Sequence, residues 1–239
     1  MWDKPQALRQ LANTLFGISL LLVLFGVVHF TVHLPMYALN AVQLSATPQR
    51  VNTAQIEEIV RNELSGNFFT VDLEGTRKAF EKLPWVRKVS VRRHFPWRLE
   101  VELEEHVALA SWNGTELVNT HGEVFAATSE QVLPKFIGQP DTSTEVTRMY
   151  KVFGDQLAPL KQGVAQISLS PRHAWQLRLG SGMVLELGRE QAQERLARFV
   201  AVYPYSLAAM PSTVNYVDLR YSNGFAAYLP GGTARAKQG

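Results

Sequence analysis

No cysteine occurs among the 239 residues. Disulfides, thiolate nucleophiles and cysteine-ligated zinc are therefore excluded. A thiol-free chain suits an oxidising compartment, but many cytosolic chains share the feature. Charge is also scarce. Charged residues make up 19% of the chain, below the usual quarter, and the net charge is only +3. So small an excess of base carries little weight as a sign of a polyanion partner. Catalytic signatures are missing as well: there is no Gly-x-Ser-x-Gly elbow, no P-loop and no Gly-x-Gly-x-x-Gly after a strand. "LGSGMVLELG" has glycines, but they lie between strands and open no helix. Of the histidines at 29, 33, 94, 106, 121 and 173, only His29 and His33 share the i, i+4 spacing of a helical zinc site. That pair lacks the glutamate of a metalloprotease motif and a third ligand, so it reads as interfacial polar residues. Neither an enzyme nor a cofactor or metal site is expected.

What is present begins with "LANTLFGISLLLVLFGVVHF", residues 11–30, which contains no charged residue. Twenty residues at a rise of about 1.5 Å give roughly 30 Å, the thickness of a bilayer's hydrocarbon core. A buried core helix of this length without a polar face is uncommon. A cleaved signal peptide would carry a shorter apolar core and a small-x-small site, which "HFTVHLPMY" does not offer. The segment reads as an uncleaved anchor over 11–32. Lys4 and Arg9 precede it and no Lys or Arg follows until Arg50, so the positive-inside rule puts residues 1–10 in the cytoplasm and the bulk outside. Gly17 and Gly26 are nine apart and form no small-x-x-x-small pair.

The outer part opens with "MYALNAVQLSAT" (36–47), which reads as a strand. Ile56, Ile59, Val60 and Leu64 follow at helical spacing over 52–64, with Asn52 or Thr53 as cap and Asn52 and Gln55 at capping-box spacing. A second helix over 71–84 is capped by Asp72, shows Leu73, Arg77, Phe80 and Leu83 on one face and ends at Pro84. Then comes "LPWVRKVSVRRHFPWRLEVELEEH", 83–106. Val89 and Val91 alternate with Ser90 and Arg92. Leu99, Val101 and Leu103 alternate with Arg98, Glu100, Glu102 and Glu104, with "FPW" as the turn. Bases next to Phe95 and Trp97 mimic a nucleic-acid surface, but the expected topology keeps nucleic acid out of reach. The spacing predicts a hairpin whose glutamates, Glu105 included, are outward teeth facing an arginine row, with no acid–base role. Strand, helix, helix, strand, strand over about 70 residues predicts a small α+β domain with two helices on a three-stranded sheet.

From residue 107 short strands dominate. Asn113-Gly114 and His121-Gly122 mark turns of a meander. Residues 143–160 read as a helix. "VAQISLS", "AWQLRLG" and "MVLELG" read as strands, with Ser181-Gly182 as a tight turn. Residues 190–205 read as a helix with Leu196, Phe199 and Val200 inward. Residues 213–230 read as two strands broken near Asn223-Gly224, and "GGTARAKQG" as a frayed tail.

Residues 70–112 resemble a POTRA domain, the polypeptide-transport-associated module. The chain as a whole resembles the FtsQ/DivIB family of bitopic bacterial cell-division proteins. The basic tail with its single anchor, "LPWVRKVSVRRHFPWRLEVELEEHVALASW", "SPRHAWQLRLGSGMVLELGREQAQERLARFV" and "VDLRYSNGFAAYLP" carry the likeness. It implies an α+β architecture: a single N-terminal transmembrane helix, a POTRA domain (β-α-α-β-β, 36–106), a mostly antiparallel β-domain with flanking helices (107–230) and a disordered tail (231–239). It also implies a non-enzymatic scaffold in the inner membrane at the division septum. There the POTRA domain would help recruit the protein through upstream partners such as FtsK. The β-domain would bind FtsB, and with it FtsL, and so regulate septal peptidoglycan synthesis. The partner would pair with the edge of the last strand, at Tyr221, Asn223, Gly224, Ala227, Tyr228 and Leu229, joined by Arg172 or His173 from a nearby strand. The chain departs from the family pattern at Ala108, where relatives often have proline, and at Tyr228-Leu229, where some have tryptophan. Two rivals remain: a POTRA protein of envelope assembly or secretion, which needs tandem units and a barrel, and an anchored peptidoglycan hydrolase, which needs a catalytic constellation.

Overall fold

The computed structural model describes residues 5–34, 37–39, 41–64, 66–95, 97–208, 214–229 and 232–234. Parts of several expected features lie outside the described residues: Lys4 of the tail, Pro96 of the "FPW" turn, and residues 231 and 235–239 of the C-terminal stretch. The chain divides into two compact units, one up to Glu105 and one from His106 onward.

The first unit begins with α1 (Pro5–Val32). Its stretch Leu8–Val32 is long and apolar enough to cross a membrane, and none of that stretch is buried in the protein. Helix runs back to Pro5, so part of the expected tail extends the anchor's helix. The sheet domain follows as β1 (Ala41–Leu44), α2 (Thr53–Glu63), α3 (Leu73–Glu81), β2 (Val86–His94) and β3 (Arg98–Glu105), with sheet order β1-β3-β2. β1 lies parallel to β3, with Ala41 opposite Arg98 and Leu44 opposite Val101. It is shorter than the expected 36–47 because only residues 98–101 of β3 face it; Ala38 instead makes a single bridge to Asn67.

Asn52 caps α2 by accepting from the Ala54 amide at 2.9 Å. Asp72 caps α3 by accepting from the amides of Glu74 and Gly75. The buried face of α3 is Thr76, Ala79 and Phe80. Arg77, expected on that face, is turned outward by ion pairs to Glu74 and Glu81, one turn to either side, both at 2.6 Å. Ile56, Val71, Phe80, Val89, Leu99 and Val101 form the core beneath the helices.

The β2–β3 hairpin has the expected alternation. Lys88 faces Glu104 and Arg92 faces Glu100, while Leu99 and Val101 are fully buried. Arg87 reaches Glu104 at 2.6 Å. Glu105 differs from the expected outward tooth. It folds over the 49–51 segment and accepts the amides of Gln49, Arg50 and Val51 at 3.0, 2.9 and 2.8 Å. Three donors converging from a loop more than fifty residues away outcompete solvent for its carboxylate. Burial raises its pKa, but the bonds from Arg50, Gln49 and Val51 outweigh that and hold it below the ordinary glutamate value.

The second unit is a ten-stranded sheet in the order β13-β12-β11-β10-β9-β8-β7-β4-β5-β6. Its strands are β4 (Ala108–Trp112), β5 (Glu116–Asn119), β6 (Val124–Phe125), β7 (Lys135–Ile137), β8 (Val164–Leu169), β9 (Trp175–Leu179), β10 (Val184–Gly188), β11 (Tyr216–Asp218), β12 (Ala226–Leu229) and β13 (Gly232–Ala234). Six of the nine pairings are antiparallel. Asn113-Gly114 takes up the left-handed φ values, 50° and 82°, that a tight hairpin turn needs. α4 (Ser143–Leu157) and α5 (Ala192–Val202) pack against each other and against β8 and β10. Trp112, Phe136, Phe153, Leu177, Leu185, Phe199 and Val217 fill the core between helices and sheet.

Candidate partner-binding edge

The C-terminal end of the large sheet is built from β11, the 219–225 connection and β12, with β13 outermost. β11 runs parallel to β10, with Leu185 opposite Val217 and Glu186 opposite Asp218. β12 returns antiparallel, with Asp218 opposite Ala226 and Tyr216 opposite Tyr228. Alternation then sets the side chains. Phe225 and Ala227 pack on the core, while Tyr228 stays 43% exposed and stands edge-on to Tyr216 at 5.3 Å between rings. Tyr221 is 55% exposed, and Asn223 and Gly224 are exposed beside it in the connection.

Two arginines brace the connection. Arg220 forks onto Asp218, with Nε to Oδ1 at 2.9 Å and Nη2 to Oδ2 at 2.7 Å, and its own amide donates to the same carboxylate at 3.0 Å. The Arg220 side-chain bonds come first among the causes that hold Asp218 below its ordinary value, against the opposing effect of burial; the same bonds raise the Arg220 pKa. Arg198 of α5 donates to the Ser222 carbonyl. Behind the connection lies a cleft of about 500 Å3 lined by Phe199, Val202, Leu219 and Phe225 and by Arg195 and Arg198. The sequence reading missed Arg198 and Arg220. The Asp-x-Arg spacing of 218 and 220 could have flagged the second, because i and i+2 lie on one face of a strand.

Tyr221, Asn223, Gly224, Ala227 and Tyr228 are thus neighbours along one edge. Leu229 continues that edge by its backbone, paired to Gly232. Arg172 and His173 are not on a strand. They occupy the turn between β8 and β9, where His173 has φ 57° and donates its amide to the Ser170 carbonyl at 2.8 Å. This turn lies at the same end of the sheet as the 219–225 connection, but β10 and β11 separate β9 from β12. The distance is three strand spacings, about 14 Å. The cause is topology: β9 pairs with β8 and β10, so its turn cannot adjoin β12.

The frayed tail expected after Pro230 is corrected over Gly232–Ala234. These residues form β13, antiparallel to β12, with Ala227 opposite Ala234, Tyr228 opposite Thr233 and Leu229 opposite Gly232. Pro230-Gly231, between the two strands in sequence, is a dipeptide that favours turns. The outer ladder of β12 is therefore already taken up by the chain's own next segment.

Residues 38–106 match a family model described as the POTRA domain, FtsQ-type, and residues 110–220 match one described as cell division protein FtsQ/DivIB, C-terminal. A cell division protein FtsQ of Nitrosospira multiformis is 45% identical over 232 residues, spanning 95% of this chain and 98% of that relative. Another, of Burkholderia pseudomallei, is 36% identical over 238 residues, with 97% and 95% covered. The chain belongs to the FtsQ/DivIB family of cell division proteins. A third family member, from Coxiella burnetii, is 32% identical over 92% of each chain. Membership brings a role in cell division, and the apolar helix α1 fits a single-pass membrane protein. The match to the family's C-terminal model ends at Arg220, so the candidate edge residues 221–229 lie just past the matched span. Among the described residues, no group of three His, Asp or Glu side chains could hold a metal ion.

Proposed function

We propose that this protein is a non-enzymatic scaffold of the divisome, anchored once in the bacterial inner membrane with its N-terminus cytoplasmic. Its second unit binds FtsB, and through it FtsL, by strand addition at β12, and its POTRA unit (36–106) meets FtsK-like upstream proteins. In this reading the complex regulates septal peptidoglycan synthesis. One observation carries it: the β12 edge accepts a strand, since β13 already pairs with it, and residues 226–234 contain no charged side chain. Edge strands that must stay unpaired are usually guarded by charge. A partner strand would satisfy the same ladder, with Tyr221 and Tyr228 as aromatic anchors. Arg220, fixed by Asp218, adds a positive charge beside the edge. Partner binding then requires either displacement of β13 or addition beyond it. Arg172 and His173 touch a partner only if it extends across the sheet end past β11 and β10.

The test is a titration of the full chain in detergent micelles against the outer segments of FtsB and FtsL from the same organism. Binding is expected, and it should fall sharply in Tyr228→Ala while the melting temperature stays put. Equal loss of binding and of melting temperature would make Tyr228 structural. No binding by the intact chain at micromolar concentration would refute the reading.

A further inference from the structure

The membrane-exit end of α1 and the turn end of the small sheet meet in an aromatic cluster that strand addition at β12 does not use. Asn67 organises it and is itself nine-tenths buried. Its Nδ2 donates to the Val32 carbonyl at 2.6 Å, satisfying one of the acceptors that a helix leaves unpaired in its last turn. Its Oδ1 accepts the amides of Phe69 and Thr70 at 3.0 and 3.1 Å. The loop so fixed sets Phe68 and Phe69 edge-on at 5.2 Å. Tyr37 stands edge-on to Phe69 at 5.1 Å, and Phe95 of the hairpin turn edge-on to Phe68 at 6.4 Å. Arg93 ties the hairpin to this loop by donating to the Val71 carbonyl at 3.0 Å. Phe68 is buried, but Phe69 is 46% and Phe95 77% exposed. Arg92, Arg93, His94 and Arg98 are exposed around the turn, with no acid between 92 and 98.

The level of this cluster follows from the anchor. If residues 11–30 span a hydrocarbon core of about 30 Å, Val32 lies about 3 Å beyond its boundary. The interfacial layer is roughly 5–8 Å deep on each side. Asn67, bonded to Val32, therefore falls within that layer, and ring contacts carry it on to Phe69 and Phe95. Aromatic rings favour this depth, and guanidinium groups pair with lipid phosphates there. We propose that Tyr37, Phe69 and Phe95, flanked by Arg92, Arg93 and Arg98, form a second membrane contact that seats the POTRA unit on the headgroups of the bilayer spanned by α1. The occupant is the lipid interface because the anchor delivers the cluster to that depth, and because exposed aromatics ringed by bases match an apolar layer beneath phosphates. The unit is thereby held at two points, the covalent end of α1 and the hairpin turn, so it cannot swing freely on the anchor. This rests on reading α1 as membrane-spanning.

Because the chain has no cysteine, single labels are clean. His94→Cys keeps both phenylalanines and reports on the turn. Lys88→Cys, six residues back along β2 and about 20 Å away by strand rise, reports on solvent. Leu20→Cys reports on the anchor. Each full-length variant carries a fluorophore in phospholipid vesicles containing an anionic lipid, with nitroxide quenchers on the headgroup or deep in the acyl chain. Headgroup nitroxide is expected to quench position 94 several-fold more than position 88, and deep nitroxide to quench position 20. Phe69→Ser with Phe95→Ser should abolish the quenching at 94, and vesicles without anionic lipid should weaken it. Equal quenching at 94 and 88, with position 20 still quenched, overturns the proposal. So does shielding of 94 from water without lipid quenching, which would assign the cluster to a protein contact. Failure at position 20 would instead remove the membrane-spanning reading beneath it.

Discussion

β2, one of the two edge strands of the small sheet, carries Arg87, Lys88, Arg92 and Arg93 within nine residues, whereas β12 and β13, the outermost strands at one end of the large sheet, carry no charge at all. Both edges expose a backbone ladder that another strand could join. Charge on β2 makes joining costly, because the incoming chain must bury or displace guanidinium groups. On β12 nothing opposes it, and a segment of the same chain has joined. Edge chemistry thus separates a guarded edge, β2, from a receptive one within a single protein.

The largest effect that would sharpen this comparison concerns the separateness of the two units. Phe80 is fully buried in the small core, so Phe80→Ala should cost about 3–5 kcal/mol there. Amide exchange should show the small sheet opening while β8–β11 keep their protection; loss of protection in both would mean the cores are not independent. Next, Tyr228→Ala should weaken partner binding by about 2 kcal/mol, roughly 30-fold, with little change in melting. Titration calorimetry with the FtsB segment would read the first and scanning calorimetry the second.

Glu105→Gln should destabilise the small unit by about 2 kcal/mol at neutral pH, since a charged acceptor of three amides becomes a neutral one. The folded pKa of Glu105 lies below the unfolded value of about 4.3. Its stabilisation is therefore complete above that value and disappears as pH falls through the lower, folded one. Wild type and variant should converge in stability only once the pH is below the folded value, and a difference that persists in stronger acid would contradict the assigned role. The smallest effect belongs to the tail. Removing residues 230–239 frees the β12 ladder and should tighten strand addition by about 1 kcal/mol, roughly fivefold, if β13 must leave first. Weaker binding on truncation would mean that the partner adds to β13.

Local pattern made much of this legible. The period-2 run of β3, the caps Asn52 and Asp72 and the Asn113-Gly114 turn depend only on near neighbours, and the sequence states them directly. What escaped depends on distant partners. Glu105 looks like one more tooth of its strand until the amides of Gln49 to Val51 arrive. Asn67 is an unremarkable loop residue until it meets Val32, thirty-five positions earlier. Gly232–Ala234 has a poor strand composition and pairs only because β12 offers a bare ladder next to a turn dipeptide. At the candidate edge, the residues from Tyr221 to Leu229 lie together because they are contiguous in the chain. The place of Arg172 and His173 was not legible, because strand order across a sheet is set by tertiary pairing.

The most direct measurement is amide hydrogen exchange on the full chain in micelles, with and without the outer segment of FtsB. The account predicts added protection at Ala226–Leu229 if the partner displaces β13, or at Gly232–Ala234 if it adds beyond it, with β2 unchanged. Protection that appears along β2, or none at either β12 or β13 when the segment is bound, would contradict it.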